Sequence, residues 1–144
     1  MNATLLGALS ESRHELPLYL SCVRAGFPSP CEDHIEATLS LDELCITHPA
    51  ATYLVRIRGD SLRDLGILDG DIAVVDRSIE ARQGQVVVAV VRGEFTAKVL
   101  MFEGGIPVLR AANADYPDIR FQPEEDLEVF GVVTSIVRRG LVAA

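Results

Sequence analysis

The chain has 144 residues, of which 49% are apolar and none is tryptophan; one aliphatic core is the expectation, and a domain of this size buries roughly 70% of the surface its unfolded chain exposes. A formal charge of −8 and a pI near 4.8 repel a phosphate backbone, and the arginines form no basic stripe with aromatics, which argues against direct DNA binding. Three cysteines, Cys22, Cys31 and Cys45, odd in number and without a C-x-x-C pair, argue against a disulfide framework or a zinc site and suit a reducing compartment.

The N-terminal stretch has no basic region, and Glu11, Arg13 and Glu15 break its apolar runs, so no signal peptide is read there. Up to about residue 30 no helical or strand period is sustained, and Gly26, Pro28 and Pro30 in "AGFPSP" stop any regular element. Residues 1–30 therefore read as an extended, accessible arm before a domain over 31–144. Ser40 with Glu43 three residues on is a capping-box pattern that predicts a short helix over about Leu41 to Thr47.

Strand signals then dominate. "TYLVRIR" alternates, and "DIAVVD" follows the turn signal "LDGD". "QVVVAVV" and "EFTAKVLMF" flank Arg92-Gly93, a tight hairpin; "IPVLRA" and "LEVFGVVTSIV" complete at least six strands. Spacings near ten residues with almost no helix predict a mostly β, compact antiparallel fold. The longest uninterrupted apolar run, "VVVAVV", is six residues, far short of the roughly 20 that span a bilayer. A soluble, cytosolic (cytoplasmic) protein is the expectation.

Two side chains raise a chemical question. Ser61 stands just past the strand end in "RIRGDS", with no histidine in a recognisable activating context, and Lys98 is the only lysine of the chain. On a strand, Lys98 shares a face with Glu94, Thr96 and Leu100. The plainer reading is an exposed edge-strand lysine that discourages aggregation. The sharper one starts from the serine, whose hydroxyl is a poor nucleophile until a base takes its proton. A free lysine, with a pKa of about 10.4, is almost wholly charged at neutral pH. Burial among apolar neighbours disfavours the ammonium and brings that value to about 7–8, a shift of roughly 4 kcal/mol that the fold must sustain. A serine–lysine pair is chemically sensible here; spacing alone does not join the two.

In order along the chain, "AGFPSP", "HPAATYLVRIRGDS", "GILDGDIAVVD", "GEFTAKVL" and "DLEVFGVVTSIV" resemble the UmuD-type self-cleaving proteins, relatives of the LexA repressor. The likeness covers roughly residues 25 to 139. It implies Ser61 as nucleophile, Lys98 as general base and Ala25–Gly26 as the bond that is cut in the protein's own arm. Ala25 is small enough for a tight pocket, Gly26 lets the backbone approach Ser61, and Val23 is an apolar anchor two residues before the cut. The backbone N–H groups of Asp60 and Ser61 are the candidate oxyanion donors. The resemblance further implies a homodimer, cutting stimulated by a RecA filament on single-stranded DNA, and a role beside a UmuC-like Y-family translesion polymerase, with no cofactor. The mild apolar surplus also hints at a covered surface.

Leu62 stands where the family usually has methionine; both are apolar, so activity is expected to survive. A leader of 25 residues is too short for a helix-turn-helix domain, which favours the UmuD branch over the repressor branch. Two other functions compete. A trans-acting serine–lysine peptidase akin to signal peptidases predicts a membrane anchor, for which no apolar run is long enough; a pure interaction subunit would carry a vestigial dyad.

Other signals are set aside. Arg58-Gly59-Asp60 spells an adhesion tripeptide by accident of a strand–turn junction. The aspartates Asp60, Asp64, Asp69, Asp71 and Asp76 lack calcium-loop spacing and read as turn residues rather than a metal site. Cys22 reads as a filler rather than a partner of His34 or His48, and His14, His34 and His48 as solvated or capping residues.

Overall fold

A computed structural model describes residues 3–8, 14–19 and 35–140. By its contacts the chain divides into two units, one of Met1–Leu9 with His48–Ala144 and one of Ser10–Thr47. The arm boundary read near residue 30 lies outside the described residues.

In the larger unit, eight strands form one sheet in the order β1-β4-β5-β10-β6-β7-β8-β9, and every pair in it is antiparallel. The strands are β1 Ala3–Ala8, β4 Thr52–Ile57, β5 Ile72–Asp76, β6 Val86–Val91, β7 Glu94–Glu103, β8 Ile106–Arg110, β9 Ile119–Arg120 and β10 Glu128–Val137. The mostly β, antiparallel fold expected from the sequence is the one found, and all six strands read there are present.

The β6–β7 hairpin closes through two residues, with Val91 opposite Glu94. Arg92 at φ 50° and Gly93 at φ 79° both lie in the left-handed region, which lets the turn follow the right-handed twist of its strands. The sheet buries apolar side chains on both faces. Successive β6 residues show it: Val88 packs with Val55, Ile57, Val75 and Ala97, whereas Val87, Ala89 and Val91 pack with Leu100, Leu109 and Val132. Burial on both faces explains the unbroken valine run of β6, which a half-exposed strand would not carry. Strand β7 lies between β6 and β8, so the reading of Lys98 as an edge-strand lysine is overturned.

In the smaller unit, β2 (Glu15–Tyr19) pairs antiparallel with β3 (Ile35–Ser40), and β3 runs directly into the helix α1 (Leu41–Cys45). Ser40 caps it as the sequence predicts, its Oγ accepting from the Glu43 N–H at 3.1 Å. The helix ends two residues before the expected Thr47, because Ile46 already has extended backbone at φ −126°.

Strands β1 and β2 occupy a stretch that shows no strand period. In β1 the register shifts between Leu5 and Gly7, a bulge that breaks the two-residue alternation. Leu5 and Leu6 are both exposed, as an edge strand permits. Strand β2 contains Pro17, which marks edge positions and masks a strand signal.

Candidate active site

Ser61 follows a turn opened by Gly59, whose φ of 78° suits a residue without a Cβ. Strand β4 leads into that turn, and the ladder continues past its end, with Ile57 N–H donating to Asp71 O at 2.8 Å and Gly70 N–H to Ile57 O at 2.9 Å. The Asp69 carboxylate accepts from the Gly59 N–H at 2.7 Å. Next to the serine, Leu62 is 1% exposed and packs in the core with Val55, Ile57 and Ala73. An apolar residue is what this position requires, and leucine meets the requirement as methionine would.

The turn and β7 converge. Lys98 Nζ lies 3.1 Å from Ser61 Oγ, although 37 residues separate the two in the chain. Thr96 Oγ1 at 3.2 Å and the Ala97 carbonyl at 3.3 Å also face the amine. Ser61 is 3% and Lys98 7% exposed. No carboxylate is among these neighbours of the amine, and burial pulls the Lys98 pKa below its ordinary value, because an ammonium loses hydration that these neutral oxygens do not replace. A serine hydroxyl and a buried amine with a lowered proton affinity are the ingredients of base-assisted nucleophilic attack.

A cavity of about 510 Å³ opens on this pair, walled by the Arg58–Ser61 turn, by Thr96 and Lys98, and by Tyr116, Pro117 and Ile119. Its size falls in the range of ligand-binding clefts. Asp60 and Ser61, whose N–H groups are the candidate oxyanion donors, both line it. Val23, Ala25 and Gly26 lie outside the described residues, as do Cys22, Cys31 and His34.

The segment after β8 supplies further residues around the serine turn. The buried Asn113 donates from Nδ2 to the Asp60 carbonyl at 2.9 Å. Tyr116 donates its hydroxyl to Asp60 Oδ1 at 2.6 Å. From strand alternation alone, Thr96 is only a neighbour on the Lys98 face. Each partner is far away in sequence or only recognisable once Lys98 is known to point inward, so no local signal reveals these contacts.

The remaining aspartates have separate partners. Asp71 takes two bonds of 2.6 Å from Arg138, and Asp64 faces Arg63 at 3.5 Å on the surface. His48 is exposed and stands at the cap of the short 3-10 turn Pro49–Ala51, with no side-chain bond to it, in line with its reading as a solvated or capping residue; its Nδ1 also lies 2.6 Å from Oδ2 of the buried Asp76. Burial alone would raise the Asp76 pKa, but the bonds from Ser78 and His48 outweigh it and bring the value below the ordinary one. His14 is exposed. Among the described residues, no helix is long and apolar enough to cross a membrane.

Comparison with known proteins agrees with the motif resemblance. The chain is similar to MucA of Salmonella typhimurium, 44% identical over 122 residues, 84% of this chain and 83% of that one. SamA of Salmonella typhimurium strain LT2 is 43% identical over 123 residues, 85% of each chain. A LexA repressor of Colwellia psychrerythraea is 39% identical over 126 residues, 87% of this chain but 59% of the repressor. Residues 17–134 match the family described as Peptidase S24-like, and with more than half of the sequence inside that match, the chain belongs to the S24-like peptidase family.

Proposed function

We propose that this chain is a self-cleaving serine peptidase in which Ser61 is the nucleophile, Lys98 the general base and Ala25–Gly26 the bond that is cut. The observation that carries the reading is the buried 3.1 Å approach of Lys98 Nζ to Ser61 Oγ. In its neutral form the amine accepts the Ser61 proton as Oγ attacks the Ala25 carbonyl. The negative oxygen of the tetrahedral intermediate takes hydrogen bonds from the Asp60 and Ser61 N–H groups. Collapse breaks the Ala25–Gly26 bond, and Lys98 passes its proton to the leaving Gly26 amine. Water, deprotonated by the same amine, then releases Ala25 from Ser61 and restores the hydroxyl.

The resemblance to UmuD-type proteins, together with similarity to MucA and SamA over more than four-fifths of each chain, supports a place in the response to DNA damage (the SOS response). In that reading a RecA filament on single-stranded DNA stimulates the cut. The processed homodimer then serves as accessory subunit of a UmuC-like, Y-family polymerase in error-prone translesion synthesis.

The test is incubation of purified protein across mildly alkaline pH, followed by mass spectrometry. A product beginning at Gly26 that forms faster as pH rises towards about 9–10 supports the proposal. A chain that stays intact throughout, with and without a RecA filament, overturns it in favour of an interaction subunit.

A further inference from the structure

We infer that Asn113 is a positioning residue for the nucleophile turn: its side-chain amide fixes the peptide plane that carries the Ser61 N–H, and so aims one of the two oxyanion donors. The inference rests on the serine–lysine reading above.

The peptide unit joining Asp60 to Ser61 is planar, and the described residues contain no cis peptide bond. In a trans peptide the C=O and the N–H point in opposite directions. Holding the Asp60 carbonyl therefore sets the direction of the Ser61 N–H. Two donors hold that oxygen, Asn113 Nδ2 at 2.9 Å and the Arg63 N–H at 3.1 Å. Both also polarise the peptide unit, which strengthens its N–H as a donor.

Asn113 is itself held in one orientation. Its Oδ1 accepts from the Asp115 N–H at 3.0 Å and from Arg63 Nη2 at 3.3 Å, so the Nδ2 end must face Asp60. The side chain is 3% exposed, and little competing water reaches it. Two further bonds tie the same segment to the same turn: Tyr116 to the Asp60 carboxylate at 2.6 Å, and the Asp64 N–H to the Ala112 carbonyl at 2.8 Å. A buried loop asparagine that served only its own loop would spend its donor nearby. This one reaches 53 residues back in the chain, to the residue before the serine.

The test compares the full chain with Asn113→Ala and with Asn113→Asp, which keeps the shape and the acceptor oxygen but loses the donor. Two quantities are read well below each variant's melting temperature: the self-cutting rate as a function of pH, and the Ser61 backbone amide resonance in 15N-labelled protein. The alkaline plateau of the rate should fall about 10- to 100-fold in both variants, since the donor is misaimed rather than deleted. In Asn113→Ala the pH at half-plateau should stay where it is, because Thr96 and Ala97 still surround the amine. The Ser61 amide resonance should move in both. A plateau within twofold of the parent, or an unmoved Ser61 resonance, overturns the inference. A parent chain that never cuts sinks the peptidase reading instead, and the Ser61 resonance then decides the clamp by itself. Loss of folding in Asn113→Ala leaves Asn113→Asp to decide.

Discussion

The Thr96 hydroxyl and the Lys98 amine, two positions apart on one face of β7, lie 3.2 Å apart. Strand geometry puts alternate residues side by side, so no loop has to fold for the threonine to reach the amine. As an acceptor, the Thr96 oxygen favours the ammonium over the neutral amine. Thr96→Val preserves shape and removes that acceptor. We expect the pH at which cutting reaches half its plateau to fall, because the ammonium loses one of its neutral partners. The plateau should fall as well, by a few-fold, because the amine is less firmly held. A pH–rate profile of the variant beside the parent checks both; a rise in the half-plateau pH would contradict this account.

Lys98 makes a second prediction through its charge. Burial lowers its pKa in the folded chain, whereas the unfolded chain titrates near the free value of about 10.4. Between those two values the unfolded state binds the extra proton, so stability rises with pH across that window and the penalty of the buried ammonium is complete below it. Lys98→Met removes the penalty. The variant should be more stable than the parent at neutral pH, with the difference shrinking as pH approaches about 10, and it should not cut at any pH. Lys98→Arg keeps a charge that no accessible pH removes, so it should also fail to cut, without the gain in stability. Urea midpoints at several pH values, read with fragment analysis, test both variants.

How much of this was legible beforehand follows from where each signal resides. Elements coded by neighbouring residues were readable: the Ser40–Glu43 cap, the Arg92-Gly93 hairpin, and strands whose apolar runs end in glycine or aspartate. Ser61 and Lys98 were readable as candidates because a hydroxyl past a strand end and a lone lysine beside Leu100 are each locally unusual. Their contact was not, because it depends on β7 lying inside the sheet rather than at its rim. Strand β1 was hidden by the bulge at Gly7, and the two residues of β9 are too few to show a period. The side-chain contacts of Asn113 and His48 leave no local trace, because their partners, Asp60 and Asp76, stand 53 and 28 positions away.

Arg138 and Asp71 join the end of β10 to the segment that follows the Ser61 turn. Both guanidinium bonds measure 2.6 Å, Arg138 also donates to the Gly66 carbonyl at 2.7 Å, and the Leu68 N–H donates to Asp71 at 2.8 Å. The Arg138 bond is the main reason the Asp71 carboxyl sits below its ordinary pKa, against the opposing effect of burial. A lowered carboxyl contributes stability above its unfolded pKa and loses it as pH falls through the folded one. Arg138→Met leaves a buried carboxylate short of donors and should cost about 1–3 kcal/mol at neutral pH. The deficit should shrink as pH falls through the carboxylate range and close only below the lowered pKa of the folded parent, where the acid is protonated in both proteins. Denaturation midpoints at neutral and acid pH measure it; a deficit that persists unchanged at acid pH would show that packing of the arginine stem, not its charge, matters.

Gly131 tests the sheet apart from the chemistry. It lies in β10 opposite Val88, without a positive φ, so backbone conformation does not demand glycine there. Space does. A Cβ at this position would come within 2.7 Å of Val75 Cγ1 and 2.8 Å of the Asp76 carbonyl oxygen. The valine can turn, but the carbonyl belongs to the β5 backbone and gives way only if β5 and β10 separate. Gly131→Ala should therefore destabilise by about 1–3 kcal/mol, a melting temperature lower by roughly 4–10 °C. The atoms it crowds belong to neither Ser61, Lys98 nor Asn113, so cutting measured well below the new melting temperature should keep the parent's plateau and half-plateau pH. Loss of cutting in a folded Gly131→Ala protein would mean that the spacing of β5 and β10 controls how β7 presents its amine.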